Sequence, residues 1–234
     1  MNSIPIQPDN FLDEGAYVGN IMDFIDINEF NEMLSVIEKV KEYSVVNRDT
    51  ELHCRYNYTQ QENYLFQTPL NKLEEIDSFV KENNLVTTQK WFEFKPNLEY
   101  LDYFMNISEK ITSFFYPNLL IKRQITGGFT LYEDGHFIAH HKDGNNTGRV
   151  CVIIIYLSSE LEYNNDGGGE LVIKTNSDKE FTIKPILGTF TLLDFSQNDV
   201  HHQVNMVKNG FKRYAFINFF YIKEGQEFKN KKII

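Results

Sequence analysis

Cysteine is nearly absent, with Cys54 and Cys151 alone in 234 residues. Two thiols, one of them inside an apolar run, supply neither a disulfide framework nor a cysteine metal site. Long apolar runs are missing too, and none reaches the length of a membrane span. Met1 to Asn10 has neither the basic start nor the apolar stretch of a secretory signal, so a soluble, cytoplasmic protein with no membrane partner is expected. Positive charge is in deficit. A formal charge of -10 argues against a phosphate backbone, and hence nucleic acid, as a partner. The one basic cluster, Lys229 to Lys232, reads as a solvated terminus. Repeats, low-complexity blocks and linkers are not found.

What remains is 41% hydrophobic, enough for the core of one globular domain, taken as residues 1–234. Residues 17–117 read as an N-terminal helical support. Tyr17 to Phe24 is expected as a strand, and Asn28 can cap a helix to about Tyr43 with Phe30, Met33, Leu34, Ile37 and Val40 on one stripe. Glu51 to Gln67, polar and rich in tyrosine, fits either a substrate-facing lid or an edge hairpin. Pro69 is expected to open a helix to about Asn83. Thr87 to Phe94 reads as a strand holding Trp91. Asn97 to Phe115 is a strong helix stopped by Pro117.

From residue 119 to 222 the pattern becomes one of short strands with turns between them. Val150 to Leu157 is an unbroken apolar, largely β-branched run of the kind buried on both faces. Glu170 to Lys174, Glu180 to Lys184, Thr189 to Phe195, Val200 to Val204 and Phe211 to Ile222 follow at near-regular spacing, which argues for a small barrel or jelly roll.

Five of the six histidines lie between Leu131 and Phe220. His141-Lys142-Asp143 on a strand puts imidazole and carboxylate on the same face. One more histidine from another strand would complete two imidazoles and a carboxylate, the triad that holds non-haem Fe(II) with open positions. His201 and His202 are both candidates, but neighbours on a strand face opposite ways and only one can join. Lys212 and Arg213 pose the same alternative for a cation near the chain's end.

The joint order Tyr132, Gly135, Phe137, His141-x-Asp143, Arg149, Tyr156-Leu157, Gly168-Gly169-x-Leu171, Pro185-x-x-Gly188, His202-x-Val204, Gly210 and Arg213-Tyr214-Ala215 resembles the Fe(II)/2-oxoglutarate dioxygenases of the prolyl 4-hydroxylase type. It covers roughly residues 120–222 and is far more specific than its parts. The resemblance implies an α+β fold with a double-stranded β-helix (jelly-roll) core and buttressing N-terminal helices. It implies His141, Asp143 and His202 as Fe(II) ligands, since His202-Gln203-Val204 then falls on the family's His-Glu-Val. Arg213 would pair with the distal carboxylate of 2-oxoglutarate, with Tyr156 adding a hydrogen bond and Tyr132 and Leu171 lining the pocket. A planar guanidinium is a natural bidentate partner for a carboxylate, and burying it requires an anion. Ile217 departs from the family, where that position can carry a hydroxyl that also touches the cosubstrate.

The implied activity is hydroxylation of an unactivated C–H bond with 2-oxoglutarate and O2 as cosubstrates and ascorbate as an accessory. A prolyl residue in a peptide or protein is the first expectation for substrate; a free amino acid or small metabolite is the alternative. The rim expected to face it is Gly144 to Gly148, Ser158 to Asp166 and residues 51–67. Rival classes fit less well. Nucleic-acid dealkylation in this family wants a second arginine where Phe219 stands. A non-catalytic binding module predicts a broken ligand set, and a zinc hydrolase leaves Arg213 and Tyr156 without a role.

Overall fold

The apolar run from residue 150 becomes the inner strand on which one of two sheets is assembled. In the computed structural model the chain begins with β1 (Ala16–Asn20), a 3-10 turn (Ile21–Asp23) and α1 (Ile27–Glu42). Four short strands follow, β2 (Glu51–Tyr56), β3 (Leu65–Pro69), β4 (Leu85–Gln89) and β5 (Phe92–Phe94), then α2 (Leu98–Phe115). Among the described residues the elements that follow are all strands: β6 (Ile121–Arg123), β7 (Gly128–Tyr132), β8 (Ile138–Lys142), β9 (Arg149–Tyr156), β10 (Leu171–Lys174), β11 (Glu180–Ile183), β12 (Thr189–Asp194), β13 (His201–Val204) and β14 (Arg213–Ile222). The structure describes residues 14–42, 51–56, 65–69, 85–89, 92–94, 98–117, 121–123, 128–134, 137–143, 149–163, 166–175, 177–196, 198 and 200–222. For 51–56, 65–69, 85–89, 92–94 and 121–123, and at 42, 98, 139, 141, 142 and 222, it describes backbone alone.

Two seven-stranded antiparallel sheets result. The first runs β1-β12-β9-β14-β7-β5 with β6 on the far end of β14; the second runs β11-β10-β13-β8-β4-β2-β3. This is consistent with a jelly-roll core. Side-chain parity separates two cores. Val152, Ile154 and Tyr156 of β9 meet Leu171, Ile173 and Val204 of the second sheet. Cys151, Ile153 and Ile155 turn the other way, into a cluster with Met33, Val36, Ile37 and Val40 of α1 and Phe104, Met105, Ile107 and Ile111 of α2. A strand covered on both faces needs no polar parity, which is why residues 150–156 read as a continuous apolar run.

Several local expectations need correction. β1 stops at Asn20, whose side-chain oxygen accepts the N–H of Met22 at 2.9 Å and starts the 3-10 turn. The cap of α1 is Asp26, not Asn28: its carboxylate accepts the N–H groups of Asn28 (2.8 Å) and Glu29 (2.9 Å), while Glu29 accepts the N–H of Asp26 at 2.9 Å. That is a reciprocal capping box, legible as Asp-x-x-Glu. Pro69 ends β3, and the expected helix beyond it, residues 70–84, lies outside the described residues. Residues 51–67 supply β2 and part of β3, an antiparallel hairpin at the sheet edge. The single strand expected at 87–94 is two, in different sheets, with Trp91 outside the described residues. Residues 17–117 are therefore more than a helical support, since β1 to β5 extend both sheets.

Candidate metal and cosubstrate site

β8 and β13 are neighbours in the second sheet, with His141 opposite His202 and Lys142 opposite His201. Opposed residues share a face, so the backbone puts positions 141 and 202 together on the side that also carries Ile173, the partner of His202 on β10. Ile173 is fully buried, which marks this as the inner face. Asp143 follows the end of β8 directly. Its Oδ2 lies 3.6 Å from Nε2 of His202, and both residues are buried. The side chain of His141 is outside the described residues. Among the described residues no group of three metal-ligating side chains is gathered. An imidazole and a carboxylate side by side on an inner face, with a second histidine at the paired backbone position, form a donor set that fits a divalent iron.

The adjacent histidine goes elsewhere. His201 faces outward and stacks on His140, ring centroids 5.1 Å apart and planes 21° from parallel. Arg149 approaches Asp143 from the first sheet, its Nη1 3.8 Å from Oδ1. The guanidinium lies over the Phe219 ring at 4.4 Å, and Nε donates to the Tyr221 hydroxyl at 3.0 Å. Phe219 thus occupies the place where the dealkylating relatives were expected to carry arginine, and it acts as the shelf for Arg149.

The second cluster is built on β14. Arg213 pairs with Tyr132 in register and is 1% exposed, the largest fully buried side chain among the described residues. Its Nε donates to the carbonyl of Gly169 at 2.8 Å, and its guanidinium lies 5.0 Å from the Tyr132 ring centroid and 5.3 Å from that of Tyr156. Gly169 has a φ of +74°, and a Cβ there would stand 3.0 Å from Cδ of Arg213, so both backbone angle and space call for glycine. Among the described residues no carboxylate stands within ion-pairing distance of this guanidinium. A buried charge without a counter-ion is costly, which makes the cradle a site for an anion. Burial raises the Tyr156 phenol, with Arg213 opposing that rise, so the hydroxyl keeps its proton as a donor. Lys212, the alternative, is largely exposed and pairs with Glu133 at 3.3 Å. Leu171 is fully buried in the same inner core.

Residues 127–221 match the family model of the 2OG-Fe(II) oxygenase superfamily. The chain resembles the Fe(II)/2-oxoglutarate dioxygenases of the prolyl 4-hydroxylase type. No curated protein matches the sequence. Among solved structures, a prolyl hydroxylase from Trichoplax adhaerens in complex with a hypoxia-inducible factor oxygen degradation domain peptide matches with TM-score 0.58 at 16% identity, over 96% of this chain and 91% of that one. A Pseudomonas putida prolyl-4-hydroxylase gives TM-score 0.53 at 15% identity, over 92% and 96%. A viral collagen prolyl hydroxylase from Paramecium bursaria Chlorella virus-1 gives 0.50 at 13%, over 90% and 97%. At these identities the likeness is one of fold.

All the residues singled out for the dioxygenase site, Tyr132, His141, Asp143, Tyr156, Leu171, His202 and Arg213, fall inside the matched stretch. Two contributors had not been singled out. Thr191, fully buried, shares a hydrogen bond of 3.0 Å with the Tyr156 hydroxyl. The Gly169 carbonyl orients Arg213. Thr191 had a signal in the sequence, a hydroxyl between Phe190 and Leu192 in the middle of a largely buried strand; the carbonyl had none. Of the expected rim, Gly144 to Gly148 lies outside the described residues. Ser158 belongs to the other end of β9, where its hydroxyl donates to the Lys212 carbonyl at 2.9 Å. The eight residues of β9, Arg149 to Tyr156, span roughly 23 Å, so residues 158–163 flank the Arg213 end and not the Asp143 end.

Proposed function

We propose that this chain is a 2-oxoglutarate-dependent dioxygenase that hydroxylates an unactivated C–H bond, with a prolyl residue of a peptide or protein as substrate. The observation that carries the reading is the buried guanidinium of Arg213, which lacks a carboxylate partner among the described residues and faces the same inner space as Asp143 and His202. His141, Asp143 and His202 would hold Fe(II). Arg213 and Tyr156 would hold the distal carboxylate of 2-oxoglutarate, against walls made by Tyr132 and Leu171. When bound, the metal and cosubstrate supply the oxidising chemistry, coupling decarboxylation of the keto acid to hydroxylation of the substrate, with ascorbate as an accessory reductant. The protein's share is placement. Arg149 steadies Asp143, Val152 and Ile154 keep water from the inner face, and α1 and α2 support the sheet that carries Arg213. The prolyl substrate is supported by the prolyl hydroxylases among the fold neighbours, one of them holding a peptide.

The test is succinate formation from 2-oxoglutarate by the purified protein with Fe(II) and ascorbate under air. Proline-containing peptides and free amino acids are added as separate pools. Iron-dependent succinate stimulated by the peptide pool is the expected result. Stimulation by the amino-acid pool alone replaces the prolyl assignment with a small-molecule one. No succinate from iron-loaded protein with any pool removes the dioxygenase reading and leaves a binding module.

A further inference from the structure

The Tyr156 and Thr191 hydroxyls are both fully buried, and their oxygens are 3.0 Å apart. Each carries one proton, and between them they make one hydrogen bond. Among the described residues no further acceptor meets the proton left over. That surplus donor lies beside the surplus cation of Arg213, whose guanidinium is 5.3 Å from the Tyr156 ring centroid. One carboxylate would satisfy both.

The register shows where the second hydroxyl comes from. Ile154 of β9 is opposite Ile217 on β14 and opposite Thr191 on β12. The three side chains form one row across the inner face of the first sheet. The resembling enzymes can carry a hydroxyl at the position of Ile217. Here that place is aliphatic, and a hydroxyl stands in the same row on the other side of Ile154.

We infer that Thr191 is a positioning residue for cosubstrate binding: its hydroxyl donates to the Tyr156 oxygen and thereby directs the phenolic proton at the distal carboxylate held by Arg213. The inference rests on the dioxygenase reading. A phenol can accept from a hydroxyl and donate its own proton, and hydrogen bonds in such a chain polarise one another. Without Thr191 the phenolic oxygen keeps only its contact with Arg213 to set the direction of its proton.

The experiment is equilibrium titration, without turnover, of the full-length protein loaded with Mn(II). 2-Oxoglutarate is one probe. Oxalate, which keeps a chelating end and lacks the distal arm, is the other. Thr191→Val should weaken 2-oxoglutarate binding about 3- to 10-fold, the worth of one buried hydrogen bond, and leave oxalate unchanged. Thr191→Ser should restore binding to within about twofold of the parent, because serine keeps the same donor. In a Tyr156→Phe background, Thr191→Val should cost almost nothing more, since its effect passes through the phenol. Unchanged 2-oxoglutarate affinity in Thr191→Val overturns the inference. So does an equal loss for oxalate, which would mark a structural defect, or a full additive loss in the Tyr156→Phe background. A parent that binds Mn(II) and oxalate but not 2-oxoglutarate removes the dioxygenase reading, and the inference with it.

Discussion

Adjacent residues on a strand differ in fate because the backbone sends them to opposite faces, and two such pairs decide this site. His202 lies 3.6 Å from Asp143 on the inner face, while His201 stacks outside on His140. His202→Ala should therefore abolish tight binding of Fe(II) or Mn(II), and His201→Ala should leave it within about twofold, since His201 is half-buried on the opposite face of the strand and stacks on His140. Metal titration decides it, and the reverse pattern would reassign the ligand. Arg213 and Lys212 form the second pair. Arg213→Ala removes the one buried cation of the cradle and should weaken 2-oxoglutarate at least tenfold, the usual scale for a charge-assisted bond. Lys212→Ala breaks only an exposed pair with Glu133 and should change it hardly at all. Equal losses from the two variants would sink the assignment of Arg213. In the sequence these choices rested on strand parity plus the resemblance. Parity alone left both pairs open, since it gives relative facing and not which face is inside.

Among the elements, helices and sheets are tied by buried polar side chains that the hydrophobic pattern does not announce. Tyr116, just past α2, donates to the carboxylate of Asp194 at the end of β12 at 2.7 Å, and both are buried. Asn198 and Ser196 donate to the same carboxylate. Tyr116→Phe should cost about 1.5–3 kcal/mol, as for other bonds to charged groups, read from the urea midpoint; a loss below about 0.5 kcal/mol, the level of an inert surface change, would show the tie to be idle. Glu14 clasps the β10–β11 hairpin through Lys179 at 2.6 Å and Thr175 at 2.8 Å. Its hydrogen bonds to Lys179 and Ser177 lower its carboxyl from 4.5 to about 2. A lowered folded value means the clasp is complete above about 4.5 and is lost as pH falls toward 2. Glu14→Gln should make stability less dependent on pH across that window, and an unchanged acid limb in denaturation would rule the clasp out. The strands of residues 149–222 were legible from apolar runs and turns. β2 to β5 were legible only in part: residues 51–67 fitted an edge hairpin as well as a lid, and 87–94 read as one strand where there are two, because short edge strands carry little periodicity and their pairing is decided by distant partners. At the start of α1 the sequence offers two caps, Asn28 and, two residues earlier, Asp26, and the reciprocal bond from Glu29 decides for Asp26.

For the whole molecule, the two halves of the site stand on different sheets. His141, Asp143 and His202 belong to the sheet of β8 and β13, whereas Arg213, Tyr156 and Thr191 belong to that of β9, β12 and β14. A metal and a cosubstrate held between them would bind the folded state and not the unfolded one, and would so raise stability by mass action. The gain is about 2.7 kcal/mol at a concentration one hundred times Kd. For a chain of this size that corresponds to roughly 5–11 °C in Tm. Mn(II) alone needs only the first set, while 2-oxoglutarate needs both, because it would chelate the metal at one end and meet Arg213 at the other. The two increments should therefore be ordered: 2-oxoglutarate adds to Tm only when Mn(II) is present. Arg213→Ala should keep the Mn(II) increment and lose that of 2-oxoglutarate, and His202→Ala should lose both. Thermal unfolding of the three proteins, each alone, with Mn(II), with 2-oxoglutarate and with both, reads this directly. A 2-oxoglutarate shift that survives His202→Ala at full size would place the keto acid away from the metal and break the link between the two sheets on which the proposed chemistry depends.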